Sequence, residues 1–314
     1  MDVPTTRVLL KARPVLAQLA DRLAPPVPEG LELYLDRHDL LIDDWLKRIQ
    51  GDTAAAGAPP NFTWIVEAPI RTLGGALFDL TVDDADHRAT IQRVVEVGAA
   101  IGAIAANIHV VAPTLDADTL TDGRRLQKLD EARPLLEYYA DACQKRGLVP
   151  QIENVPPVGR MREAAFVYSP IGLACDDLLF LTDARSDVRV TLDVSHAALF
   201  LNWRKAPDPQ VGDHVRPVAR FCRARSGPDD LASYTQTLAG VAATVHVSNA
   251  SGLLGEGLPY GAGEEDLDHV LSPLLGTARF FVTETIEEDP ERANKMRDAQ
   301  RRLLALRTAR GASR

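Results

Sequence analysis

Short apolar segments alternate with helical patterns along the chain, and this alternation limits the possible folds more than any other feature. Eight segments rich in apolar and β-branched residues predict strands, at 7–11, 31–35, 62–66, 107–111, 148–152, 188–192, 242–247 and 279–284. Helical patterns separate most of them, at 14–23, 40–49, 83–104, 126–145, 171–181, 231–238 and 293–306. Strands that alternate with helices form parallel βαβ units. Eight such strands predict a closed (β/α)8 TIM barrel, which is an α/β fold.

The length of the chain fits one barrel. Its 314 residues predict a single domain over residues 1–314, with a frayed end at 309–314. An open doubly wound sheet is the alternative fold. That fold would place a G-x-G-x-x-G turn after the first strand, and the sequence has none there.

Composition and charge exclude several functional classes. The chain is 46% hydrophobic and 25% charged, as in ordinary globular proteins, and its net charge of -9 disfavours nucleic acid as a partner. Neither a signal peptide nor an apolar run long enough for a membrane span is evident. The three widely spaced cysteines predict neither a disulfide framework nor a metal knuckle. We therefore expect a soluble cytoplasmic protein without a membrane partner.

Polar residues stand where the predicted strands end. The buried run 188–192 leads directly into Asp193, and His196 follows shortly after. In a parallel barrel the carboxyl ends of all strands meet at one mouth, where such enzymes place their chemistry. The same arrangement recurs at the ends of strands three to eight, with Glu67, His109, Glu153, Asp193, His246 and Glu284. An ion pair with Arg71 is the alternative role for Glu67, and a structural core histidine is the alternative for His109.

These side chains form a set of hard oxygen and nitrogen ligands. A set of four drawn from these six residues, with two glutamates, the aspartate and one histidine, suits Mn²⁺, Mg²⁺ or Co²⁺, with Zn²⁺ also possible. Clustered carboxylates without a cation would repel one another and become protonated. The sequence therefore predicts one divalent metal ion at the mouth of the barrel.

Four short segments carry a resemblance to a known family. Segments 152–154, 192–196, 245–247 and 283–285 resemble the metal-site strands of the xylose isomerase-like TIM-barrel superfamily, which includes sugar phosphate isomerases and epimerases and AP endonuclease family 2. Segment 252–267 resembles the loop that follows strand seven in that family. The resemblance extends over nearly the whole chain and rests on the order and spacing of these segments.

The resemblance implies a set of roles. Glu153, Asp193, His246 and Glu284 would be the metal ligands, with Glu153 and Glu284 also acting as acid and base in an isomerisation or epimerisation. His196 would be the catalytic histidine on the substrate side. The substrate would be a small polyhydroxylated compound, such as a sugar or a cyclitol, and the protein could form a homo-oligomer. Further substrate contacts are expected from residues near the mouth, namely Glu67, His109, Asn154, Tyr260, and Trp203 in segment 203–230, which is predicted to be a loop with short helices.

Three alternatives stay open. A dehydratase of the same superfamily begins with the same proton abstraction and is therefore a lyase alternative. An endonuclease IV-like zinc phosphodiesterase would retain His109 as a ligand, but Glu67 and Gly257 stand where that class carries further histidines. A non-catalytic family member is the third. Ketose 3-epimerases place an arginine six residues after the strand-seven histidine, where this chain has Gly252, so substrate handling is expected to differ.

Overall fold

A computed structural model describes residues 6–160, 166–207 and 212–312. Within these ranges, eight parallel strands close into a barrel. The barrel strands are β1 (Arg7–Ala12), β2 (Gly30–Tyr34), β3 (Thr63–Glu67), β4 (Ala105–His109), β5 (Val149–Glu153), β8 (Arg189–Asp193), β9 (Ala242–Val247) and β12 (Phe280–Thr283). Around the barrel they follow the order β1-β12-β9-β8-β5-β4-β3-β2. The predicted single-domain TIM barrel is confirmed.

Helices connect the barrel strands and cover their outer faces. They are α1 (Leu16–Leu23), α2 (Arg37–Leu41), α3 (Trp45–Ala55), α4 (Ala85–Ile101), α5 (Asp122–Gln144), α6 (Cys175–Ala184), α7 (Val194–Lys205), α8 (Arg216–Ala224), α9 (Leu231–Leu238), α10 (Leu267–Leu271) and α11 (Asn294–Ala312). None of the helices in the described ranges combines the length and apolar character needed to cross a membrane.

Two short antiparallel pairs lie outside the barrel. Strands β6 (Val158–Arg160) and β7 (Phe166–Tyr168) pair after β5, and β10 (Asn249–Ser251) pairs with β11 (Gly255–Leu258) after β9. Both follow the carboxyl ends of barrel strands, so they stand at the mouth where the predicted site residues converge.

Side chains inside the barrel change from apolar to polar toward the mouth. Leu9, Ile65, Ala105, Phe280 and Val282 form a small buried cluster within the barrel. Successive inward side chains of a strand are two residues apart. The next inward position after Leu9 in β1 is therefore Lys11, which is 5% exposed. Polar groups thus occupy the layer directly below the mouth.

Capping explains where several helices begin. The Asp84 side chain accepts hydrogen bonds from the backbone of Asp86 and His87 at the start of α4, and Gly102 ends this helix with a left-handed φ of 69°. Such caps satisfy backbone groups that a helix terminus leaves unpaired. Because Gly102 stops α4, β4 begins at Ala105, two residues earlier than predicted, and His109 is its last residue.

Two helices include residues that were predicted to lie outside helices. Trp203 lies inside α7, not in a loop, because α7 follows β8 directly and continues to Lys205. The terminal helix α11 continues to Ala312, so the described part of the predicted frayed end is helical. Predicted fraying of residues 313–314 lies outside the described residues.

Candidate metal centre

The four predicted metal ligands meet at the mouth of the barrel. Glu153 ends β5, Asp193 ends β8, His246 is in β9, and Glu284 follows β12 directly. One ligand atom from each of the four lies within 4.8 Å of the others. Residues that are far apart in the sequence therefore form one group of three carboxylates and an imidazole.

His246 lies at the centre of this group. Its Nδ1 atom is 2.6 Å from Glu284 Oε2, 3.2 Å from Glu153 Oε1 and 4.0 Å from Asp193 Oδ2. Its opposite nitrogen, Nε2, is 2.6 Å from Glu32 Oε2. Burial lowers the pKa of His246, but Glu153, Glu32 and Glu284 outweigh burial and raise the pKa well above its usual value. The imidazole is therefore held between carboxylates on both edges.

Asp193 is fixed by the backbone around it. Its Oδ1 accepts the hydrogen bond from the backbone N–H of His196 at 2.7 Å, so Asp193 caps α7 while its other oxygen faces His246. Asn154 holds the aspartate backbone, accepting from Asp193 N at 2.7 Å and donating to Asp193 O at 2.9 Å. Asn154 is completely buried. Both ends of its amide are bonded to Asp193, and the expected substrate contact of Asn154 stays a prediction.

His196 lies in the first turn of α7, beside the cluster. Its Nδ1 donates to the backbone oxygen of Asn154 at 2.9 Å, and its Nε2 is 3.7 Å from Glu256 Oε2. Burial lowers the pKa of His196, but Asp193, Glu256 and Glu153 outweigh it and raise the pKa to about 9. The Nδ1 contact leaves Nε2 as the atom that faces Glu256 and the mouth.

Glu67 and His109 extend the cluster toward β3 and β4. His109 Nε2 is 3.8 Å from Glu153 Oε2 and 4.0 Å from Glu67 Oε1. Glu67 Oε2 is 2.5 Å from Lys11 Nζ, so Lys11 is an ion-pair partner of Glu67. Burial, together with the Glu153 charge, raises the pKa of Glu67 well above its usual value even though Lys11 opposes the shift. Burial also lowers the pKa of His109.

The sequence analysis missed Lys11 and Glu32. Lys11 Nζ contacts both Glu67 and Glu284, and Glu32 is completely buried beside His246. Burial lowers the pKa of Lys11, but Glu284, Glu67 and Glu32 outweigh it and raise the pKa well above its usual value. The signal was present, because Lys11 stands between Leu10 and Ala12 and Glu32 stands between Leu31 and Leu33, so each is a charge with apolar neighbours on both sides.

Asn107 and the ammonium of Lys11 support the two glutamates differently. Asn107 Nδ2 donates to Glu153 Oε2 at 2.5 Å, whereas Lys11 forms an ion pair with Glu284. Burial raises the pKa of Glu284, but Lys11 and His246 outweigh it and lower the pKa to about 2. For Asp193 burial prevails and raises the pKa to about 6. Glu284, next to Lys11, therefore holds its negative charge more strongly than Asp193 does.

The donor set fits a divalent cation. Five carboxylates, from Glu32, Glu67, Glu153, Asp193 and Glu284, surround one ammonium group and the His246 ring. Among the described residues, both Glu32 oxygens, one Glu67 oxygen and one Glu284 oxygen are buried without a well-formed hydrogen bond. Buried charges normally require pairing or a metal. Hard oxygen donors with one imidazole match the ligands of Mn²⁺, Mg²⁺ and related ions.

Trp203 and Tyr260 are buried, and the polar atom of each side chain is hydrogen-bonded to another part of the protein. Trp203 is 1% exposed, and its indole N–H donates to Leu253 O at 2.9 Å. Tyr260 is 5% exposed, and its hydroxyl donates to Asp268 Oδ1 at 2.8 Å. Both side chains are buried and hydrogen-bonded within the protein, and the substrate contacts expected of them stay predictions.

Solved structures of other proteins are similar to this chain over nearly its whole length. No protein-family model matches the chain, and no curated protein matches it. The chain is similar to the solved structure of a D-tagatose 3-epimerase-like protein, with a TM-score of 0.65, 14% identity, and 97% of this chain and 99% of that chain covered.

Two further solved structures are similar over comparable lengths. One is endonuclease IV from Thermus thermophilus, with a TM-score of 0.59, 14% identity, and 95% of this chain and 99% of that chain covered. The other is a xylose isomerase domain protein from Planctomyces limnophilus, with a TM-score of 0.56, 13% identity, and 98% of each chain covered. At these identities the likeness shows the fold alone, which is a (β/α)8 TIM barrel, as predicted.

Proposed function

We propose that this protein is a divalent-metal-dependent isomerase or epimerase of a small polyhydroxylated compound. One observation carries the proposal. Glu153, Asp193, His246 and Glu284 bring their ligand atoms within 4.8 Å of one another at the carboxyl end of the barrel. This is the face on which α/β barrels place their active sites.

The proposed metal ligands are these four residues, and Mn²⁺, Mg²⁺ or Co²⁺ suits them best. When bound, the cation would supply Lewis acidity to polarise a substrate carbonyl. Asn154 would orient Asp193 through its two hydrogen bonds to the Asp193 backbone, and Glu32 would orient His246 through its contact with Nε2. Such supporting contacts commonly fix the direction of metal ligands.

Glu153 and Glu284 are the proposed acid and base. They contact His246 Nδ1 from two different strands, β5 and β12, and β9 lies between these strands in the barrel order. A substrate held between the two carboxylates could lose a proton to one and regain a proton from the other. His196 Nε2 would donate to a substrate oxygen, because Nδ1 is already bonded to Asn154 O.

Similarity to solved epimerases supports a sugar-like substrate. The D-tagatose 3-epimerase-like protein covers the chain almost completely. A dehydratase would use the same proton abstraction and differ in the group that leaves, so it is the nearest alternative reaction.

One observation favours a phosphodiesterase as the second candidate. Glu67, His109 and Glu153 also bring ligand atoms within 4.8 Å of one another, and endonuclease IV shares the fold. A multinuclear zinc site could use this group. The Lys11 ammonium contacts Glu67, however, and adds positive charge where a second cation would have to bind.

Elemental analysis per chain, followed by a deuterium assay, tests the proposal. We expect one equivalent of manganese, magnesium or cobalt, and metal-dependent uptake of solvent deuterium into a ketose or cyclitol. Glu153→Gln and Glu284→Gln should each abolish the uptake, whereas Glu288→Gln, at an exposed glutamate, should not. Two or three zinc ions with cleavage of abasic DNA would instead establish the phosphodiesterase. Absence of metal after soaking would overturn both functions.

A further inference from the structure

A cavity of about 210 Å³ opens beside the proposed metal ligands. His109, His196 and Glu256 line it on the side of the cluster. The loops after β3, β4 and β5 and the β6–β7 pair form the rest of its wall. Much of that wall consists of apolar side chains, including Leu77, Phe78, Val111, Val155, Pro156 and Val167.

A second cavity borders the same cluster from the opposite half of the mouth. Its volume is about 340 Å³, and its wall carries more charged and polar side chains than that of the first cavity, namely Lys11, Gln18, Arg22, Tyr34, Glu67 and Glu284, beside apolar ones such as Ile286 and Met296. The two cavities are therefore chemically different. One offers charged and hydrogen-bonding groups next to Glu284, and the other offers mainly hydrocarbon beyond His109 and His196.

Hydroxyl groups would be poorly accommodated in the apolar cavity. Burying a hydroxyl without a hydrogen-bond partner is unfavourable. Ser169 lines this cavity but is already engaged, accepting from Ala112 N at 3.1 Å and donating to Ile171 O at 2.8 Å. Apart from the Tyr168 hydroxyl, the polar side-chain groups left on the described wall belong to the two histidines and Glu256.

The size of the cavity suits a ring or a short alkyl chain. Dry apolar cavities of about 150 Å³ bind benzene in another protein, and the volume here is about 210 Å³. Ligand sites usually pair an apolar wall with a few orienting polar groups. Here the orienting groups lie at one end, next to Glu153.

We propose that the substrate of this site carries an apolar group, aryl or alkyl, beside the vicinal oxygens that face the metal ligands. This inference rests on the proposed metal-dependent function. The oxygens would lie at Glu153 and Glu284, and the apolar group would occupy the cavity bounded by Leu77, Phe78 and Val167. An unsubstituted sugar has no apolar group that could fill that cavity.

Two hydroxamates test the inference on the protein loaded with Mn²⁺. Acetohydroxamate and benzohydroxamate share a metal-chelating pair of oxygens and differ in the apolar group. Binding is measured by calorimetry and by the change in the Mn²⁺ electron paramagnetic resonance spectrum. We expect benzohydroxamate to bind about tenfold tighter or more, because the ring removes its apolar surface from water.

A matched pair of variants assigns the difference to the cavity. Leu77→Asp places a charge in the wall at a partly exposed position, and Leu126→Asp changes a leucine of α5 that is 50% exposed. The preference for benzohydroxamate should fall at least fivefold in Leu77→Asp and stay unchanged in Leu126→Asp. Equal affinity of the two hydroxamates would overturn the apolar group while leaving the metal site intact. Failure of both to perturb the Mn²⁺ spectrum would overturn the proposed function as well.

Discussion

Glu32 of β2 and His246 of β9 contact each other inside the barrel, with 2.6 Å between Oε2 and Nε2 and no exposure of either side chain. Strands β1 and β12 lie between them in the barrel order. The contact is an ion pair without well-formed hydrogen-bond geometry. It holds the Nε2 edge of the ring against Glu32, so that the Nδ1 edge faces Glu153, Asp193 and Glu284.

Glu32→Leu should weaken Mn²⁺ binding about 10- to 100-fold, as loss of a carboxylate behind a metal-bound histidine typically does. Glu32→Gln keeps an oxygen that can accept from Nε2, so it should weaken binding less. Calorimetric titration of Mn²⁺ into metal-free protein measures both. Equal affinity of Glu32→Leu and the parent protein would show that Glu32 does not orient His246.

Much of the site was predictable because strand ends obey a simple rule. Parallel strands bring their carboxyl ends to one mouth, so Glu153, Asp193, His246 and Glu284 could be placed together from the sequence. Lys11 and Glu32 were missed because they lie within their strands, one layer lower. Only the closed barrel shows that inward positions of β1 and β2 reach the side chains of β3, β9 and β12.

The hydrogen bonds of Trp203, Tyr260 and Asn154 could not be predicted from the sequence. Position along the chain showed that each lies near the mouth, but not where its polar atoms are bonded. Trp203 donates to Leu253 O, Tyr260 to Asp268, and Asn154 to Asp193 O. Such contacts depend on the tertiary packing of loops and helices, which hydrophobic periodicity does not specify.

Lys11→Met should destabilise the metal-free protein by about 3–5 kcal/mol, because removing one partner leaves buried charges uncompensated. Lys11 Nζ contacts Glu67 and Glu284, and the Lys11 side chain is 6% exposed. Urea unfolding in the presence of a chelator measures the loss. Lys295→Met is the control, because its ion-pair partner Glu288 is 92% exposed and little change in stability is expected. A loss below about 1 kcal/mol for Lys11→Met would show that Glu67 and Glu284 are protonated or solvated without it.

All three cysteines should resist alkylation in the folded protein. Cys143, Cys175 and Cys222 are buried as free thiols. Burial raises the pKa of Cys143 and of Cys175 to about 12, so at pH 8 almost no thiolate is present. Iodoacetamide followed by mass spectrometry should show no modification of the native protein and modification of all three thiols in guanidinium chloride. Rapid labelling of the native protein would contradict this burial.

Metal binding should stabilise the fold through Asp193, whose two structural roles can be separated. Mn²⁺ at 100 times its Kd should raise the free energy of unfolding by about 2.7 kcal/mol. Asp193 caps α7 by accepting from His196 N, and it also belongs to the ligand group. Asp193→Asn retains a capping oxygen, whereas Asp193→Ala removes it at a cost of about 1 kcal/mol.

Both variants should therefore lose most of the Mn²⁺-dependent stabilisation, and only Asp193→Ala should also lower the stability of the metal-free protein. Chemical denaturation with Mn²⁺ and with a chelator separates the two effects. If Asp193→Asn kept the full stabilisation by Mn²⁺, Asp193 would be a helix cap and not a ligand. Loss of stability in the metal-free Asp193→Asn protein as large as that of Asp193→Ala would show that the charge, and not the capping oxygen, stabilises the start of α7.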